Sequence, residues 1–211
     1  MNVVAFNGSP RNQGNTYHAI RIIADELEKE GVETEIIHVG DKTIKGCIAC
    51  NYCIKHQNET CVTKEDEVKG WIQKMKKADG IILGSPVHFS GIGGAMKSFL
   101  DRAFFVSSVN GQLLRHKVGA SVVAVRRSGG IGVYDQLNHF LNYAEMILPA
   151  SNYWNIIHGL KPGEAVHDEE GKQIMRVLGK NMAWILKLIE NGKGTVKSPE
   201  KEDKIHTNFV R

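Results

Sequence analysis

"VVAFNGSPRNQGNT", residues 3–16, decides the fold. A short β-rich apolar run, Val3 to Phe6, stops at Asn7-Gly8 and gives way to a polar loop. A helical pattern follows from about Thr16 to Lys29, with Ala19, Ile22, Ile23 and Leu27 on one face and Gly31 as its stop. Strand, glycine-bearing loop and helix in that order open a βα unit. The loop's backbone N–H groups then lie at the positive end of the helix. Gly8 and Gly14 permit tight turns there, and Ser9, Arg11, Asn15 and Thr16 add hydroxyl, amide and guanidinium donors. This composition makes an anion cradle. It lacks the Lys of a GxxxxGK[ST] phosphate loop and the glycine spacing of GxGxxG. A terminal monophosphate held by hydroxyls and amides fits it best.

The same alternation continues down the chain. Residues 34–39, 79–86, 118–125 and 152–157 read as further strands, and 64–78, a segment around Met96–Phe104, 133–146 and 168–190 as helices. Near-continuous apolar strands separated by helices predict a doubly wound five-stranded parallel sheet in three layers, an α/β fold. Ligands in such folds sit beyond the carboxyl ends of the strands. Residues 1–190 are expected to form one domain, and the polar segment 191–211 a tail extending away from the core.

Two other strand-end loops carry chemistry. Pro86, Val87, His88, Phe89 and Ser90 follow the third strand and give a rigid, partly apolar edge on which a flat heterocycle could lie. Arg126, Arg127, Ser128 and Gly129 follow the fourth, with charge suited to a reduced, anionic ring or an incoming phosphate.

The 211 residues carry 42% hydrophobic and 24% charged residues and a net charge of +4, values of an ordinary folded domain without a nucleic-acid footprint. The N-terminal stretch lacks a basic region followed by a long apolar run, and no segment is apolar enough to span a bilayer. The expectation is a cytoplasmic protein with reduced thiols and no membrane partner. No Ser-His-Asp set, HExxH or paired carboxylate supports a hydrolase.

All four cysteines fall within residues 43–63, as C-x2-C-x2-C-x7-C at Cys47, Cys50, Cys53 and Cys61. In a reducing compartment a disulfide framework is the weakest reading. A compact tetrathiolate set suits a [4Fe–4S] cluster. Zinc is the alternative, although Cys50 would then serve two CxxC pairs around one ion. Free or redox-switch thiols are the third.

Taken together, "GSPRNQGNT", "SPVHFSGIGGAMKSFLDR", "VRRSGG" and "SNYWNIIHG" resemble the flavodoxin-like NAD(P)H-dependent FMN reductase family over nearly the whole chain. The resemblance implies that Ser9, Arg11, Asn15 and Thr16 hold the FMN phosphate. It places Pro86, Val87, His88, Phe89 and Ser90 on the isoalloxazine, with Arg127, Ser128 and Gly129 approaching from the other side. Family members often carry Tyr at the position of His88, so that contact departs from the pattern. The cysteine segment resembles the iron–sulfur flavoprotein branch, with Cys47, Cys50, Cys53 and Cys61 as cluster ligands inserted after the second strand. The resemblance further implies NAD(P)H as donor, a homodimer or homotetramer, and a small-molecule acceptor. The alternatives are an electron carrier fed by a ferredoxin-like protein and a flavodoxin-like module with structural zinc.

Overall fold

A computed structural model describes residues 1–210. Six strands are formed: β1 Asn2–Asn7, β2 Glu33–His38, β3 Gly80–His88, β4 Gly91–Ile92, β5 Val118–Val125 and β6 Ile156–His158. The helices are α1 Asn15–Lys29, α2 Tyr52–His56, α3 Val68–Lys77, α4 Gly94–Val109, α5 Gly130–Tyr143 and α6 Glu169–Gly192, with a single 3₁₀ turn at Glu164–His167. Five strands pair in parallel in the order β2-β1-β3-β5-β6, and the short β4 folds back antiparallel on the end of β3. Register runs Ala5 to Ile82 and Ile82 to Ala120 through the sheet centre, with Ala124 opposite Ile157 at the edge.

The alternation of β1 assigns the two faces. Val3 and Ala5 join Ile20, Ile23 and Leu27 of α1 and Leu178 and Met182 of α6. Val4 and Phe6 join Trp71 of α3, Phe99 of α4 and Leu137 of α5. Successive strand side chains point to opposite faces, so one apolar strand seeds both layers. Phe6 and Phe99 rings lie 4.7 Å apart, with Trp71 edge-on to Phe99 at 5.3 Å. These contacts fix α4 against the sheet and hence the loop leading into it.

From β1 the chain winds first to β2 on one side and then to β3 on the other. Between the ends of β1 and β3 lies the topological switch point, where a crevice opens.

Several boundaries differ from the sequence expectation. The helix expected from Lys64 begins at Val68, because the Asp66 side chain accepts from the Val68 amide at 3.3 Å and caps a turn ahead of it. The helix expected over 133–146 occupies Gly130–Tyr143: Gly129 at φ 87° turns the chain directly into it, and left-handed Glu145 follows its end. The strand expected at 152–157 is only Ile156–His158. Its forepart is a turn in which Ser151 Oγ meets Asn155 Oδ1 at 2.7 Å, and Asn155 Nδ2 donates to the Ser121 carbonyl at 3.0 Å. The cysteine segment, which shows no period in sequence, contains the one-turn helix α2. Residues 197–210 of the tail lack regular structure but touch the domain. Arg115 donates to the Pro199 carbonyl at 3.2 Å, and Lys204 Nζ sits 4.5 Å from the Tyr143 ring centre. Among the described residues no helix is long and apolar enough to cross a membrane.

Candidate functional site

The switch-point crevice is a cleft of about 250 Å³ lined by Ser9, Arg11, Asn15 and Thr16, by Pro86, Val87 and His88, and by Arg126. The loop is braced from behind by side chains that sequence reading did not single out, Asn7 and His38. Asn7, wholly buried, accepts from the Ser9 amide at 3.1 Å and donates to the Asn12 carbonyl at 2.9 Å. The Ser9 hydroxyl accepts from the Arg11 amide at 3.1 Å. His38, at the end of β2, places its Nε2 2.7 Å from the Ser9 carbonyl. Gly40 runs so close behind that a Cβ there would collide with that carbonyl. The loop is therefore preformed.

Two features of it suit an anionic ligand. Helix α1 has Gly14 at its N-cap position and so no side-chain cap, which leaves its first amides for something else to satisfy. The Thr16 hydroxyl, on the first turn, is buried with no hydrogen-bond partner. Buried polar groups are ordinarily paired, and an orphan at a helix N-terminus is a place for an anion's oxygen. Asn15 lines the cleft, but its side chain is otherwise engaged: Nδ2 donates to the Lys161 carbonyl at 3.0 Å and Oδ1 accepts from the Ala165 amide at 3.1 Å. It fastens the loop after β6 to the start of α1.

The second and third loops divide differently from expectation. Pro86, Val87 and His88 reach the cleft because β3 continues through them and turns back through Gly91. Phe89 and Ser90 form the tip of that hairpin, both left-handed at φ 49° and 59°, and Phe89 is fully exposed. They crown the cleft rather than line it. Gly129 packs onto this tip, so that a Cβ would lie 2.6 Å from Ser90 Oγ. Arg127, Ser128 and Gly129 consequently face a second cleft of about 450 Å³, with Tyr153, Trp154 and His158. Arg126, adjacent in sequence, is the arginine that enters the first.

The four cysteines come together. They line one cavity against α4, with Arg102, Phe105 and Val106 as its wall. Cys47 and Cys50 are exposed, Cys53 is buried and Cys61 half-buried. The segment is tightly wound: Ala49, Asn51, Gln57 and Glu59 all have positive φ. With Phe89 and Ser90 they make six of the nine non-glycine residues in that conformation among the described residues, and such strain collects at functional sites. Asn110 holds the segment from the end of α4, accepting from the Glu59 amide at 2.9 Å.

The thiols are not equivalent. Burial pushes the Cys53 thiol up. Burial acts likewise on Cys61, but the Thr63 amide and the Arg102 guanidinium outweigh it and hold Cys61 below the usual thiol range. Among the described residues no three His, Cys, Asp or Glu side chains are grouped to grip a single metal ion. That arrangement by itself supports neither zinc nor a cluster.

The NADPH-dependent FMN reductase family model matches residues 1–161. An iron–sulfur flavoprotein of Methanocaldococcus jannaschii is 36% identical over 197 residues, 90% of this chain and 100% of that protein. One from Archaeoglobus fulgidus is 35% identical over 174 residues, covering 81% of this chain and 83% of its own. Among solved structures, an archaeal flavodoxin superposes with a TM-score of 0.57 at 17% identity, covering 89% of this chain and 99% of its own.

Proposed function

This chain belongs to the NADPH-dependent FMN reductase family, and from that premise we propose that it is a cytoplasmic iron–sulfur flavoprotein, exchanging single electrons with a ferredoxin-like partner. The observation that carries the reading is the convergence of Cys47, Cys50, Cys53 and Cys61 on one cavity, in a domain that also forms the switch-point cleft. Bound FMN would supply two-electron chemistry and a [4Fe–4S] cluster one-electron steps, so that the protein could couple donors and acceptors of different electron number.

The chain's own residues do the rest. Ser9, Arg11, Thr16 and the uncapped first turn of α1 hold the FMN phosphate, and the Thr16 hydroxyl gains the partner it lacks. Pro86, Val87 and His88 form the edge on which the isoalloxazine rests, and Arg126 brings positive charge to the same cleft. Hydrogen bonds from preorganised donors cost little reorganisation when charge develops on the ligand. Arg127, Ser128 and Gly129 act from the neighbouring cleft, where a small donor or acceptor can approach. Exposed Phe89, Tyr153 and Trp154 surround these openings, a surface suited to a second copy of the chain in a dimer or tetramer.

The family match favours a second reading, a reductase that takes electrons from NAD(P)H and passes them through FMN to a small acceptor. The two are separated by mixing the anaerobic protein either with NADPH or with a reduced ferredoxin and following flavin bleaching. Fast bleaching by the ferredoxin, lost in Cys61→Ser, supports the electron carrier. Fast bleaching by NADPH, unchanged in Cys61→Ser, overturns it in favour of the reductase.

A further inference from the structure

Arg102 is among the largest fully buried side chains of the molecule, and the flavin cleft makes no use of it. Its guanidinium is spent wholly on the cysteine segment. Nε donates to Cys61 Sγ at 3.4 Å, Nη1 to the Lys45 carbonyl at 3.3 Å and to Asp66, and Nη2 to the Thr63 carbonyl at 3.5 Å and Asp66 Oδ1 at 3.1 Å. These partners flank the cysteines on both sides, from Lys45 ahead of Cys47 to Asp66 beyond Cys61.

A buried cation needs a counter-charge, and Asp66, itself buried at the side chain, provides one. Asp66 and the carbonyls would satisfy a purely structural arginine. A neutral thiol is a poor acceptor, whereas a thiolate is a strong one. Aiming a buried N–H at sulfur is therefore effective where the sulfur carries negative charge, as a cluster ligand does. Hydrogen bonds to ligand sulfurs, and the net charge around them, set the potential of such centres.

We infer that Arg102 is the positioning residue of the cysteine site: its fork fixes Cys61 as a ligand, and its charge, offset by Asp66, sets the cluster's reduction potential. This rests on the reading of the cysteines as cluster ligands.

The test is a potentiometric titration of anaerobically purified wild type, Arg102→Gln and Asp66→Asn, with flavin, iron and sulfide counted on each. Losing the arginine's positive charge should make the cluster harder to reduce and move its midpoint to more negative potential. Losing the aspartate's negative charge should move it to more positive potential. A structural role alone would lower iron content in both without shifts of opposite sign. Variants that hold iron with an unchanged midpoint, or with shifts in the same direction, overturn the inference. If Arg102→Gln does not fold, as its lack of flavin would reveal, the sign of the near-isosteric Asp66→Asn shift decides alone. Wild-type protein with flavin but no iron would instead remove the cluster reading itself.

Discussion

Thr16 combines burial with an unmet hydrogen bond, and this gives it a pair of expectations of opposite sign. Thr16→Val deletes an orphaned polar atom at little change in shape, so the flavin-free protein should be as stable as wild type or more so. The same change removes a donor to a charged phosphate, worth about 1.5–3 kcal/mol, so FMN affinity should fall about 10- to 150-fold. Calorimetry on the flavin-free protein and a flavin titration check the two halves. The place of Thr16 in the cleft was legible, because the first turn of a helix after a strand faces the carboxyl end of the sheet. Arg102 was not. Arginine is mostly exposed in folded proteins, and nothing local in "SFLDRAFF" reveals that α4 turns that side chain inward. Arg126 and Arg127 show a related limit. The pair is plain in sequence, yet which one enters the switch-point cleft depends on the alternation at the end of β5, and it is Arg126 that does so.

At the scale of elements, the site depends on close approaches between strand ends. Gly40 follows β2 and backs onto the Ser9 carbonyl. Gly40→Ala must displace either β2 or the phosphate loop, at about 1–3 kcal/mol of strain, and should lower both thermal stability and flavin occupancy. A variant that keeps full flavin occupancy would refute the claim that the loop is held from behind. Helix α6 depends on its cap: Asp168 Oδ1 accepts from the Gly171 amide at 2.9 Å, and Oδ2 from the His158 amide at 2.7 Å. Burial pushes the Asp168 carboxyl up, but these amides and the His158 ring outweigh it, and its pKa lies below the usual value. A depressed carboxylate stabilises above its unfolded pKa of about 3.9, and this support is lost as pH falls through the folded value. Asp168→Ala should cost about 1 kcal/mol near neutral pH and flatten the acid limb of the stability profile. Denaturant melts across the acid range would show it. The long apolar strands and amphipathic helices were legible because burial on both faces of the sheet demands them. The ends of α3, α5 and β6 were not, because side-chain caps and turns at Asp66, Gly129 and Ser151 set them.

Across the whole molecule, the parallel order β2-β1-β3-β5-β6 places the loop after β1, the end of β3 and Arg126 around one crevice, while α4 runs from the β3–β4 hairpin to the cysteines. This architecture followed from the alternation of strands and helices. The hairpin formed by β3 and β4 did not, because a two-residue strand leaves no periodicity to read. The tail touches the domain through half-buried Arg115 and exposed Tyr143, in contacts few enough to be dispensable. Truncation after Lys197 should therefore change stability by no more than about 0.5 kcal/mol and leave flavin binding intact. A large fall in melting temperature would make the tail part of the fold. The central claim is that one chain joins a flavin cleft to an iron–sulfur site. Its most direct test is to purify the protein without oxygen and count flavin, iron and acid-labile sulfide on one sample. The account predicts stoichiometric FMN with about four irons and about four sulfides per chain. Stoichiometric flavin without iron or sulfide would contradict it.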